Sequence, residues 1–198
     1  MKICKCRSWA TAAILTLAAG APVVAAPVQW TAGSGGNNHY YEFVNSSTDW
    51  TIARTNAQAS SFAGLQGYLA TITSAGEQTF LLGLANDGWL GGTDQAVEGE
   101  WRWIDGPEAG NLFWTGGPSG TASGFTSWNG GEPNNLGGEN YLHLQSGAWN
   151  DFPNSPALGY FVEYNNRAVN TVPTPGSLAL VGLALTGLLV TRRRTARA

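Results

Sequence analysis

From Gly88 to Asn140 the chain has no helical period, yet it is crowded with glycine, tryptophan, proline and asparagine. Irregular backbone on this scale is uncommon in a compact domain, where unstructured connections longer than about 12–15 residues are usually functional. Strand-like pieces, Glu100 to Ile104, Tyr141 to Leu144 and Tyr160 to Tyr164, alternate with the loops. Helical signals lie only upstream. Thr48-Asp49 can cap a short helix that puts Trp50, Ala53 and Ala57 on one face. Ser74 and Glu77 form an S-x-x-E capping box, with Phe80, Leu81 and Leu84 following at helical spacing. Tyr40 to Val44 reads as a strand. The expectation is an α+β domain with long loops.

The two ends read as separate modules. Residues 1–25 have the layout of a signal peptide: Lys2, Lys5 and Arg7, then apolar Ala10 to Ala21, then Val23-Val24-Ala25 before the cut. Both cysteines, Cys4 and Cys6, lie inside it, so the mature chain has no thiol and no disulfide. At the other end a linker, 166–171, leads to Val172-Pro173-Thr174-Pro175. An apolar run from Leu178 to Val190 follows, then Arg192-Arg193-Arg194. Residues 176–191 are expected to enter a membrane, with the arginines on the cytoplasmic side. The 172–198 segment resembles the PEP-CTERM sorting signal, with Thr174 where that motif has glutamate. The resemblance implies an exosortase-like sorting enzyme as partner, a transient inner-membrane anchor, and delivery to the cell surface or outside the cell.

Between residues 27 and 170, three arginines face all 13 carboxylates, a net charge of −10. Such a surface repels phosphate backbones and argues against nucleic-acid binding. It suits a cation. Glu132-Pro133-Asn134, Glu139 and Trp149-Asn150-Asp151 supply three carboxylates and two amides within 20 residues. Calcium takes six to eight such oxygens in flexible geometry, which irregular loops tolerate better than magnesium does. Zinc is disfavoured, since the only nitrogen or sulfur ligands are His39 and His143. Glu132 and Glu139 could also be an acid–base pair for glycoside hydrolysis, but metal ligation explains them better and no nucleophile triad is present. A non-enzyme is expected.

The ordered set of motifs, over residues 38–165, resembles a C-type lectin-like domain. Trp50-x-x-Ala53 is similar to its first helix motif, and Gly67-Tyr68-Leu69-Ala70-Thr71-Ile72 to the turn into its second. Trp89-Leu90-Gly91-Gly92 resembles the core strand, and Glu98-Gly99-Glu100-Trp101-Arg102-Trp103-Ile104-Asp105-Gly106 the strand after it. Trp128-Asn129-Gly130-Gly131-Glu132-Pro133-Asn134-Asn135, Glu139-Asn140-Tyr141, Trp149-Asn150-Asp151 and Tyr160-Phe161-Val162-Glu163 complete the match. Ala57, Tyr141 and Val162 stand where the family carries disulfide cysteines.

The resemblance implies two helices flanking small antiparallel sheets, with a long calcium-binding loop region. It implies a primary calcium and carbohydrate site at Glu132, Asn134, Glu139, Asn150 and Asp151, with Pro133 cis. Asp94, Glu98 and Asn135 would form an auxiliary calcium site. The Glu-then-Asn order resembles members that take mannose- or glucose-like sugars. Carbohydrate or exopolysaccharide is the expected partner. The alternative is a relative that uses calcium only structurally and binds protein or serves as matrix.

Overall fold

The computed structural model describes residues 26–165; the signal segment and the tail from residue 166 onward lie outside the described residues. Strand β1 (Val28–Gln29) pairs antiparallel with β2 (Tyr40–Thr48), so the glycine-rich lead-in is a sheet edge. Helix α1 (Trp50–Ala59) follows directly. Asp49 caps it by accepting the Ile52 amide at 2.8 Å, and Trp50, Ala53 and Ala57 form its buried face, as the spacing predicts. The hairpin of β3 (Ser61–Phe62) and β4 (Leu65–Leu69) leads to α2 (Ala75–Leu82), capped by Ser74.

The remaining strands are β5 (Asp87–Thr93), β6 (Glu100–Trp103), β7 (Leu112–Thr115), β8 (Thr121–Ala122), β9 (Tyr141–Gln145), β10 (Ala148–Phe152) and β11 (Leu158–Tyr164). They join one sheet in the order β1-β2-β11-β5-β6-β7-β8. β4 adds to β11, and the β9–β10 hairpin adds to β5. The sheet is mixed rather than purely antiparallel, because β11 meets β5 in parallel at Tyr160 and Trp89. The glycine- and tryptophan-rich region is also less irregular than its texture suggests: it holds β5 to β8, and the loop proper begins near Ser123.

Two aromatic cores hold the layers together. The larger gathers Trp101, Trp103, Phe113, Leu142 and Trp149, with Trp128 packed against them. The second gathers Trp50, Ala53, Ala57, Trp89, Tyr141 and Val162. Ala57, Tyr141 and Val162 are thus all core residues, and the Trp50 and Tyr141 rings lie 4.6 Å apart. Each buried indole needs an acceptor. Trp50 donates to the Leu90 carbonyl at 2.7 Å, Trp89 to the Thr48 carbonyl and Trp149 to the Gln78 amide, both at 2.9 Å. Gly91 is dictated by sterics: a Cβ there would stand 2.5 Å from the Leu69 carbonyl oxygen.

The capping box forms only in part. Ser74 accepts the Glu77 amide, but the Glu77 carboxylate turns away to the amide and hydroxyl of Thr73 and the Tyr41 hydroxyl. It enters a buried cluster with Glu163 and Glu108. Glu163 accepts from Thr71 and Tyr41 and meets His39 at 2.5 Å, while Asn37 donates to Glu77. The edge strap carrying Asn37 and His39 is thereby fastened to α2 and β11.

Burial raises the Glu77 and Glu108 carboxyls, and the Glu163 charge raises them further. For His39 burial opposes the charged ring, but the bond to Glu163 and the surrounding carboxylates outweigh it, so it too is raised. A group raised on folding stabilises the fold below its ordinary pKa and loses that contribution as pH climbs through the raised one. These losses begin above the ordinary values of 4.5 for the glutamates and 6.5 for the histidine. With divalent cations chelated, the melting temperature of the full chain should therefore fall as pH climbs above about 5 and through the raised pKa values. His39→Gln should be less stable at neutral pH and converge with the parent at the alkaline end. A profile that rises with pH would contradict this account.

Candidate functional site

The loop between Ser123 and Asn140 is tied down at both ends. At its start, Trp149 of β10 accepts the Asn129 amide at 2.8 Å and donates its own amide to Ser127 at 2.7 Å, while Trp128 and Trp149 form an isolated parallel bridge. At its exit, the Thr93 hydroxyl reaches the Asn140 carbonyl at 2.6 Å and the Asp94 amide reaches it at 3.3 Å. The loop is therefore suspended between β5 and β10; it carries Glu132, Asn134 and Glu139, while β10 carries Asn150 and Asp151.

Asp151 is 1% exposed and organises the tip of the loop. One carboxylate oxygen accepts the Asn134 amide at 3.0 Å, and the other accepts the Asn135 amide at 2.7 Å. The Asn134 side-chain oxygen takes the Leu136 amide at 2.7 Å, which Glu139 also accepts at 3.1 Å. Asn135 turns its oxygen onto the Glu139 amide at 2.7 Å, closing a turn that needs Gly137 and Gly138 at φ 82° and 94°. On β10, Asn150 donates to the Asp151 carbonyl, which leaves its side-chain oxygen free of that bond. The Glu132–Pro133 peptide is cis, as the resemblance implies, and Pro133 is buried.

The electrostatics of the tip are unbalanced. Burial raises Glu132, and the neighbouring Asp151 and Glu139 carboxylates raise it further, to about 7. Glu139 is raised by burial and by Asp151. None of the three pairs with arginine, lysine or histidine among the described residues. One Glu132 carboxylate oxygen is buried without any hydrogen-bond partner among the described residues. An acceptor left unmet away from water is costly, and a carboxylate more so. An all-oxygen donor set with excess negative charge and an orphan acceptor fits a hard cation.

Asp94 shows the same features. It is 2% exposed, one oxygen takes the Gly99 amide at 2.9 Å, and the other is buried and unpartnered. Burial, with the charges of Glu98 and Asp151, lifts it to about 6. Glu98 is exposed, and the Asn135 oxygen accepts the Glu139 amide just as the Asn134 oxygen of the primary set accepts that of Leu136. Among the described residues, no three His, Cys, Asp or Glu side chains, Glu132, Glu139 and Asp151 included, form a ready metal cluster. Sequence reading missed the grip of Asp151 on two backbone amides and the display of Leu136, which is 77% exposed beside Asn134 and Glu139.

The lectin C-type domain profile matches residues 46–156, more than half of the chain. The chain belongs to that family. Relatives extend the match. Halomucin of Haloquadratum walsbyi is 37% identical over 159 residues, covering 74% of this chain but 2% of that protein. The hepatic lectin of Gallus gallus is 34% identical over 115 residues, covering 56% of this chain and 47% of that one. This lectin chain thus spans less than half of either relative. Among solved structures, the cow C-type carbohydrate-recognition domain of CD23, crystallised in the presence of a GlcNAc2Man3 oligosaccharide, is similar with 28% identity and a TM-score of 0.51. It aligns over 65% of this chain and 88% of that one. The C-type lectin CEL-I from Cucumaria echinata is similar with 26% identity and a TM-score of 0.51, over 66% and 92% of the two chains. The fold is a C-type lectin fold of two helices and a mixed sheet, and families with this fold are generally binding modules rather than enzymes. Among the described residues no helix is long and apolar enough to cross a membrane, and residues 176–191 lie outside them.

Proposed function

We propose that this lectin domain binds carbohydrate through a calcium ion held by Glu132, Asn134, Glu139, Asn150 and Asp151, with Asp94, Glu98 and Asn135 as an auxiliary calcium position. The observation that carries the reading is the Glu132 carboxylate, half-enclosed beside two other carboxylates with an oxygen that no described residue satisfies. A calcium ion held by these residues would supply coordination places for the lone pairs of two neighbouring sugar hydroxyls.

The chain's own part is to complete the hydrogen bonds of those hydroxyls. Glu132 and Glu139 are acceptors for their protons. Asn134 has its oxygen occupied by Leu136, which leaves its NH2 group to donate. Asn150 gives one hydrogen to the Asp151 carbonyl and keeps a second for the ligand. Asp151 fixes the loop from behind through the Asn134 and Asn135 amides. The Glu-then-Asn order favours vicinal equatorial hydroxyls, as in mannose and glucose.

We further infer that the domain acts outside the cell, exported by residues 1–25 and sorted through the PEP-CTERM-like segment 172–198 by an exosortase-like enzyme. Residues 176–191 would anchor it to the membrane before that processing. Extracellular polysaccharide is then its natural partner.

Retention of the full chain on immobilised mannose, with release by EDTA, is the expected result. Calcium binding without retention on any saccharide would leave a domain that uses calcium structurally. The double variant Glu132→Gln, Asn134→Asp should keep calcium and shift preference toward galactose. Inhibition of column binding by free mannose and free galactose measures the change, and unchanged selectivity would count against the site assignment.

A further inference from the structure

A second concave surface lies under the β3–β4 hairpin and shares no residue with the loop site. It is a cleft of about 630 Å³ at the C-terminal end of α1, closed on one side by Asp105 and Gly106. That volume falls within the range of about 300–1,000 Å³ usual for small-ligand pockets.

Its hydrogen bonding is lopsided. Asp105 is fully engaged: Arg54 grips both oxygens at 2.8 and 2.9 Å, and the Gln58 NH2 group adds a third bond at 2.9 Å. The wall is therefore neutral. The Gln66 NH2 group donates one hydrogen to the Gln58 carbonyl at 2.8 Å. Each glutamine NH2 group thus turns one hydrogen into the protein and keeps a second, while both amide oxygens remain acceptors. Leu65 supplies an aliphatic wall and Tyr68 part of the floor. At the hairpin tip, a Cβ on Gly64 would meet nothing within 4 Å, so the cleft mouth there is open.

A neutral cleft that offers amide acceptors and donors, a hydroxyl at Ser61 and an apolar wall suits a neutral ligand with several hydroxyls and an apolar edge. A saccharide unit has that chemistry. We propose that this cleft is a second saccharide subsite, independent of calcium, so that one domain can hold two glycan segments. It does not rest on the calcium reading, because none of its groups is a candidate cation ligand.

Saturation-transfer NMR on the full chain in excess EDTA, with maltotriose and chitotriose as probes, tests it. At least one probe should receive saturation without calcium. Ser61→Trp, which fills the cleft, should abolish that signal, and Gln66→Ala should weaken the affinity about fivefold, as expected for one lost hydrogen bond. Asn150→Ala should leave the EDTA-resistant signal intact while removing any calcium-dependent retention, which separates failure of one site from failure of the other. No transfer to either probe in EDTA would overturn the proposal. A signal unchanged in both Ser61→Trp and Gln66→Ala would overturn it equally.

Discussion

Asp151→Ala should release the tip of the loop and lower calcium affinity at least about 100-fold, beyond the range that loss of an outer-shell partner produces. The Asp151 carboxylate does two jobs: it is a candidate ligand, and it holds the amides of Asn134 and Asn135. Hydrogen bonds to a charged group contribute about 1.5–3 kcal/mol each, so losing both should destabilise the loop by roughly 3–6 kcal/mol. Asp151→Asn keeps one carbonyl acceptor and should recover part of that loss. Amide hydrogen exchange at residues 134 and 135 is the direct readout. Unchanged protection there in the alanine variant would refute the structural half of the argument, and unchanged calcium affinity the other half.

Calcium should also stabilise the whole chain. A ligand that binds only the folded state adds about 2.7 kcal/mol at 100 times its dissociation constant. For a domain of this size that corresponds to a rise in melting temperature of roughly 6–12 °C. Magnesium should give less, since it demands octahedral geometry and sheds water reluctantly. The gain is expected because a cation would relieve the crowding of Glu132, Glu139 and Asp151 that raises Glu132 to about 7, with no cationic side chain among the described residues to do so. A scan that is flat through millimolar calcium would remove the cation from the reading, though not the fold.

Local chemistry was legible in the sequence; long-range pairing was not. Asp49 and Ser74 announce the two helix starts because a cap acts within three residues. The Glu77 carboxylate escaped that logic, since Tyr41, 36 positions away, and the Glu163 cluster decide where it points. Strand β10 is masked by Asn150 and Asp151, polar residues that break an apolar pattern, and only its pairing with β9 makes it a strand. The parallel contact between β11 and β5 has no local signature at all. The candidate ligands could be named from residue type and order, whereas the loop geometry that aims them depends on bonds spanning 16 and 17 residues.

The packing of Ala57, Tyr141 and Val162 with Trp50 has a thermal consequence. A covalent bridge would hold these elements together equally well warm or cold. Apolar contact does not behave that way: its driving force fades on cooling. This domain should therefore be indifferent to reductants such as dithiothreitol, yet lose grip toward low temperature sooner than a cross-linked relative would.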